Sequence, residues 1–144
     1  MAPKAPAARI LAVDDDPSVC RMVERVLGET GYAVSVAMDG PTALTTVELE
    51  KRFDLYVIDM VMPPMNGDTL ARHLRRLQPD ARILYFTGHS DLLFQRKSRL
   101  WEHEAFLEKP VTMQGLLEAT SLLLYGHKDG PRRTRFSTRL LARV

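Results

Sequence analysis

The sequence predicts an α/β fold built on a mainly parallel sheet, and three observations carry that prediction. Short apolar, β-favouring runs alternate with amphipathic helical segments along most of the chain. Four of those runs end on polar residues: Asp14-Asp15 after Ile10-Leu11-Ala12-Val13, Asp59 after Leu55-Tyr56-Val57-Ile58, Thr87 after Ile83-Leu84-Tyr85-Phe86, and Lys109 after Phe106-Leu107. A length of 144 residues suits a single domain with one core.

The elements follow in order. After the first strand, Asp16-Pro17 has the form of an N-cap with proline at the first helical position. Val19, Met22, Val23, Val26 and Leu27 recur at helical spacing, and Gly28 to Gly31 stop the helix. Residues 32–37 alternate as a strand, and Asp39-Gly40-Pro41 opens a second helix carrying Ala43, Leu44 and Val47. Residues 55–58 are a short continuous apolar run, the pattern of a strand buried on both faces. A loop with three methionines and two prolines leads into a third helix with Leu70, Leu74 and Leu77 on its packing face. Residues 82–87 predict a fourth strand, 91–102 a fourth helix and 105–108 a short fifth strand. The final helix begins near Thr112 and packs through Met113, Leu116, Leu117, Thr120, Leu123 and Leu124. The expected organisation is a flexible 1–7, a folded 8–125 and a basic tail at 126–144.

Composition narrows the function classes. Hydrophobic residues make up 45% and charged residues 26%, as in ordinary globular proteins. No apolar run approaches the ~20 residues of a membrane span, so no transmembrane segment is expected. The opening residues lack a secretory apolar core, and the one cysteine cannot form an internal disulfide, which together predict a cytoplasmic protein. Residues 126–144 hold six basic residues against one acidic; the remainder holds 14 basic and 17 acidic. A mildly acidic body is not that of a basic DNA-binding domain, and no direct DNA binding is expected.

Strand C-termini of a parallel sheet share one edge, where ligands bind. Asp14, Asp15, Asp59, Thr87 and Lys109 would meet there. Three carboxylates against one ammonium leave two negative charges, which one divalent cation cancels. Oxygen ligands suit Mg²⁺, with Mn²⁺ as a substitute. So neutralised, the site admits a phosphoryl group, Asp59 can attack it as a carboxylate nucleophile, and Thr87 can donate to its oxygens. Each residue also has a plainer reading. Asp14 to Asp16 fit an acidic helix N-terminus, Thr87 a strand former, Lys109 a surface charge and Phe106 a buried aromatic.

These residues resemble the receiver domain of two-component response regulators. The matching segments are Ile10 to Asp16, Asp59-Met60-Val61-Met62-Pro63-Pro64-Met65-Asn66-Gly67, Phe86-Thr87-Gly88 and Lys109-Pro110, within about residues 8–125. The resemblance implies a doubly wound, flavodoxin-like fold: a five-stranded parallel sheet in order 2-1-3-4-5 with helices on both faces. It implies Asp59 as the phosphoacceptor, with metal held by Asp14, Asp15, Asp59 and the backbone carbonyl of Val61. It implies phosphoryl binding by Thr87 and Lys109, a switch formed by Thr87 and Phe106, and a cis peptide before Pro110, where sequence alone favours trans.

A sensor histidine kinase or phosphotransfer protein would donate the phosphoryl group in a two-component system or phosphorelay. The face made by the fourth helix, fifth strand and final helix would then change shape for a downstream protein. Such a domain is a regulatory phosphoacceptor rather than an enzyme in the ordinary sense, catalysing only its own phosphorylation and dephosphorylation. Glu104-Ala105 stands where many relatives have Gly-Ala, and Val61 cannot orient a hydrolytic water, whereas His89 can. Slow self-dephosphorylation is therefore expected.

Two further expectations concern the tail and a rival. Phe136, Leu140 and Val144 lie at i, i+4 and i+8, so residues 132–144 would be basic and amphipathic if helical, and are otherwise expected to be disordered. The rival is a small aspartate-nucleophile phosphatase of haloacid dehalogenase type using Asp14, which Asp14-Asp15-Asp16-Pro17-Ser18 loosely matches. That alternative leaves Asp59 unexplained.

Overall fold

A computed structural model describes residues 6–88, 102–126 and 140–143. The elements are β1 (Arg9–Val13), α1 (Pro17–Glu29), β2 (Ala33–Ala37), α2 (Gly40–Glu50), β3 (Leu55–Asp59), α3 (Gly67–Leu77), β4 (Ile83–Thr87), β5 (Glu104–Glu108), α4 (Met113–Tyr125) and β6 (Leu140–Arg143). The helix expected over 91–102 lies outside the described residues, as does the tail from 127 to 139. The sheet runs β2-β1-β3-β4-β5-β6, and its first five strands are parallel in the expected order.

The chain sorts its apolar residues by strand alternation. Leu11, Val13, Tyr56, Ile58, Ile83, Tyr85 and Phe106 join one core with residues of α2 and α3. Ile10, Ala12, Leu55, Val57, Leu84, Phe86, Ala105 and Leu107 join the other with residues of α1 and α4. Both faces of β3 are therefore covered, which is why its sequence is a continuous apolar run rather than an alternating one.

The predicted helix starts are seen in detail. Asp16 accepts the Ser18 N–H at 2.9 Å ahead of Pro17, Asp39 accepts the Thr42 N–H at 2.7 Å, and Thr112 accepts the Gly115 N–H at 3.0 Å. Two expected packing residues are corrected: Leu77 and Met113 are exposed. Each lies at the end of its helix, where the apolar stripe runs past the sheet it covers.

Of the tail, the described residues Leu140–Arg143 form a strand, paired antiparallel with β5, in place of the expected disordered or helical segment. The i, i+4, i+8 spacing is real, but an isolated short helix barely repays its nucleation cost. The edge of β5 offers unpaired backbone groups that the segment can satisfy at once.

One backbone position invites a test. Lys51 closes α2 with φ 67° and ψ −150°, a conformation close to glycine-only territory, while its N–H bonds Val47 O at 2.8 Å. Lys51→Gly keeps that hydrogen bond and removes the Cβ conflict. It is expected to stabilise the fold by about 1 kcal/mol, read as a raised urea midpoint with unchanged slope.

Candidate functional site

The site is assembled by the last rungs of the sheet. Asp14 follows β1, and its N–H bonds Ala37 O at the end of β2 at 3.2 Å. Asp59 ends β3, and the next residue, Met60, bonds Phe86 O at 2.9 Å. Lys109 follows β5 and bonds Thr87 O at 2.8 Å. Those bonds, with Val13 of β1 in register with Ile58 of β3, bring the ends of the five parallel strands to one edge.

There Lys109 Nζ stands 3.2 Å from Asp14 Oδ2 and 3.5 Å from Asp59 Oδ1. Asp14, Asp15 and Asp59 each place a carboxylate oxygen within 4.8 Å of the others, with Asp15 exposed and the other two buried. Asp14 is 3% exposed and Asp59 6%. Asp14 Oδ1 accepts the Asp16 N–H at 2.9 Å, whereas among the described residues its buried Oδ2 has only the ion pair with Lys109. The Val61 N–H approaches Asp59 Oδ1 at 3.4 Å, a long contact at the limit of a hydrogen bond.

Burial and crowding set the protonation behaviour. Burial, then the neighbouring Asp14 carboxylate, pushes the Asp59 carboxyl up to about 6, against the opposing pull of Lys109 and the Val61 N–H. Burial also raises Asp14, partly offset by the Asp16 N–H and Lys109. Burial works to lower Lys109, but the Asp14 and Asp59 carboxylates outweigh it and hold the ammonium above its ordinary value.

These residues fit a hard divalent cation. The donors are all oxygens, and Asp14 Oδ2 is a buried acceptor with coordination to spare. Burial raises both buried carboxyls, with the Asp14 charge adding to the effect on Asp59, and a cation would favour their ionised forms.

The other predicted residues are placed as follows. Thr87 is buried at the end of β4, beside the site's backbone rung. Val61 is exposed two residues beyond Asp59. Phe106 is buried at 5% exposure in the α2–α3 core, so here the inward position already holds the ring. The Lys109–Pro110 bond is cis, as is Pro63–Pro64. His89 lies outside the described residues. Met60 and Met62 are fully buried, and Met65 packs against the same core, in keeping with a packing role.

Two residues escaped the sequence reading. Gly67 opens α3 with its N–H on Met60 O at 2.9 Å, pressed against the backbone of Asp59. An added Cβ would meet Ile58 Cγ2 at 3.0 Å and the Asp59 carbonyl carbon at 3.1 Å. Gly67→Ala is therefore expected to cost about 2 kcal/mol in urea unfolding, because β3 is packed on both faces and cannot yield. The sequence signal was the Asn66-Gly67 pair at a helix start. The other residue is Glu104, wholly buried, with Oε2 accepting from Tyr85 Oη at 3.1 Å and pairing Arg75 Nη2 at 3.4 Å. A glutamate opening a short strand carries no local sign of burial.

An open, doubly wound sheet with a carboxylate cluster and a lysine on its C-terminal edge defines the class of protein. The family model for the response regulator receiver domain matches residues 10–121, and the chain belongs to that family. It is 34% identical over 119 residues to the sensor kinase CckA of Brucella abortus, covering 82% of this chain and 13% of that protein. It is 36% identical over 116 residues to the regulatory protein VanRB of Enterococcus faecalis, covering 81% of this chain and 52% of the other. The chain thus spans a small part of the first relative and about half of the second.

The crystal structure of the response regulator TrrA from Thermotoga maritima, in complex with Mg²⁺-BeF, is similar at TM-score 0.70 and 30% identity, over 81% of this chain and 99% of that one. The family is a regulatory one, and the haloacid dehalogenase alternative falls with that membership. No helix among the described residues is long and apolar enough to cross a membrane.

Proposed function

We propose that the chain is a phosphorylation-dependent signalling switch that accepts a phosphoryl group on Asp59. The observation that carries the reading is the placement of Lys109 between Asp14 Oδ2 and Asp59 Oδ1, with Asp15 within reach of both carboxylates. Asp14, Asp15, Asp59 and the Val61 carbonyl would hold Mg²⁺, or Mn²⁺ in its place. When bound, the ion supplies charge neutralisation at the transferring oxygens.

The chain's own residues do the rest. A carboxylate oxygen of Asp59 forms the new O–P bond as the N–P bond of a donor phosphohistidine breaks; the bonding pair stays on that nitrogen, and a proton on the other ring nitrogen makes the departing imidazole neutral. Lys109 faces the phosphoryl oxygens, and the Thr87 hydroxyl donates to one of them. The donor is a sensor histidine kinase or a phosphotransfer protein, whose complementary surface brings the phosphohistidine to this edge. Output passes through the face that carries β5 and α4 to a downstream protein, by a two-state equilibrium that the phosphoryl group biases. Such a chain acts in the cytoplasm.

The test is to label the chain with acetyl phosphate and Mg²⁺, trap the acyl phosphate by borohydride reduction, and locate it by mass spectrometry. Modification at Asp59 alone is the expected result. Modification at Asp14, or no magnesium-dependent labelling, overturns the reading.

A further inference from the structure

β5 closes the parallel part of the sheet and would otherwise present an open edge. Alternate residues of a strand turn their N–H and C=O groups to opposite neighbours. Ile83 donates its N–H to His103 O at 2.9 Å, and Lys109 donates its N–H to Thr87 O at 2.8 Å. The odd-numbered residues of β5 therefore bond to β4. The even-numbered Glu104 and Phe106 turn their backbone groups the other way, towards β6.

The register there sets Glu104 against Arg143, Ala105 against Ala142, Phe106 against Leu141 and Leu107 against Leu140. Acid stands opposite base, small opposite small, and large apolar opposite large apolar twice. A one-residue slip would change every one of these opposed positions. Charge points the same way, because the tail is basic and the body mildly acidic.

We propose that the outer edge of β5 is a strand-acceptor site whose resident ligand is the chain's own Leu140–Arg143. A partner strand reaches the backbone of Phe106 only after the tail has left. The consequence for output rests on the proposed function, since that reading puts the downstream face on β5. The pairing itself is tested independently of it.

The experiment is residue-resolved amide hydrogen exchange on the full-length chain and two proline variants. Leu141→Pro deletes an N–H aimed at β5, whereas in Ala142→Pro the lost N–H faces away from it. The Glu104 and Phe106 amides are expected to be protected in the wild type and in Ala142→Pro, and to exchange ~10-fold faster or more in Leu141→Pro. The Ala105 and Leu107 amides, bonded to β4, should not change in any of the three, which controls for folding.

Unprotected Glu104 and Phe106 amides in the wild type, or equal effects of the two prolines, overturn the proposal. So does protection that rises with protein concentration alongside dimer formation, because a second copy's tail would then be the occupant. Ala105→Cys with Ala142→Cys adds a second arm. This closely spaced pair should form an intramolecular disulfide on mild oxidation, and crosslinking between chains alone would refute the assignment. If Asp59 fails to label while the amides stay protected, the phosphoacceptor reading falls and the tail assignment stands. Labelling with unprotected amides has the opposite meaning.

Discussion

Replacing Asp59 by asparagine is expected to remove Mg²⁺-dependent labelling by acetyl phosphate, a loss of ~10³-fold or more, because the proposed acyl phosphate forms on the Asp59 carboxylate. The same change should make the metal-free protein more stable at neutral pH. The Asp59 carboxyl titrates near 6 in the folded chain, against ~3.9 when unfolded. As pH rises, the unfolded chain releases this proton first. The group's contribution to stability is therefore complete below about pH 4 and is lost by about pH 6, a loss of roughly 3 kcal/mol. Asparagine carries no such penalty. In EDTA at pH 7.5 the variant should outlast the wild type in urea by roughly 1–3 kcal/mol, and at pH 4 the advantage should vanish. A variant that is less stable at pH 7.5 would show that Asp59 is held by attractive contacts rather than crowded by like charge.

Lys109→Met is expected to act in the opposite direction. Lys109 is the cation facing both buried carboxylates, and deleting one partner of a buried charge cluster leaves the others uncompensated. The lysine is about a quarter exposed, so solvent screens part of the effect. A loss of roughly 2–3 kcal/mol in EDTA at pH 7.5 is expected. Asp59 would titrate still higher, because Lys109 now lowers it. Protonation should therefore recover much of the loss at pH 4, and saturating Mg²⁺ should recover part of it at pH 7.5. Labelling should fall ~10²-fold, as the ammonium no longer faces the transferring oxygens. Urea midpoints that match the wild type under all three conditions would count against the charge cluster as described.

Four of the five parallel strands were readable because their apolar runs stop on polar residues, and burial on both faces leaves β3 no alternation to confuse; their order in the sheet came from the resemblance. The helix starts were readable for a local reason too, since capping is a contact between near neighbours such as Asp16 and Ser18. What escaped was non-local. β6 owes its form to Glu104–Leu107, more than thirty positions earlier, and its own spacing suggested a helix. The burial of Glu104 had no local sign, because its partners Tyr85 and Arg75 come from two other elements. The charge balance of the site could be counted from the sequence. The ion pairs of Lys109 with Asp14 and Asp59 required the strands to be packed first, whereas the cis bond before Pro110 was implied by the resemblance and is present.

The backbone bonds from Asp14 to Ala37, Met60 to Phe86 and Lys109 to Thr87 anchor the reactive groups where the loops begin. Chemistry is thereby uncoupled from recognition. Segments past those anchors can be lengthened, shortened or rewritten to suit new interlocutors while the carboxylate and lysine cluster keeps its dimensions. A lineage can rewire what it listens to without reinventing how it listens.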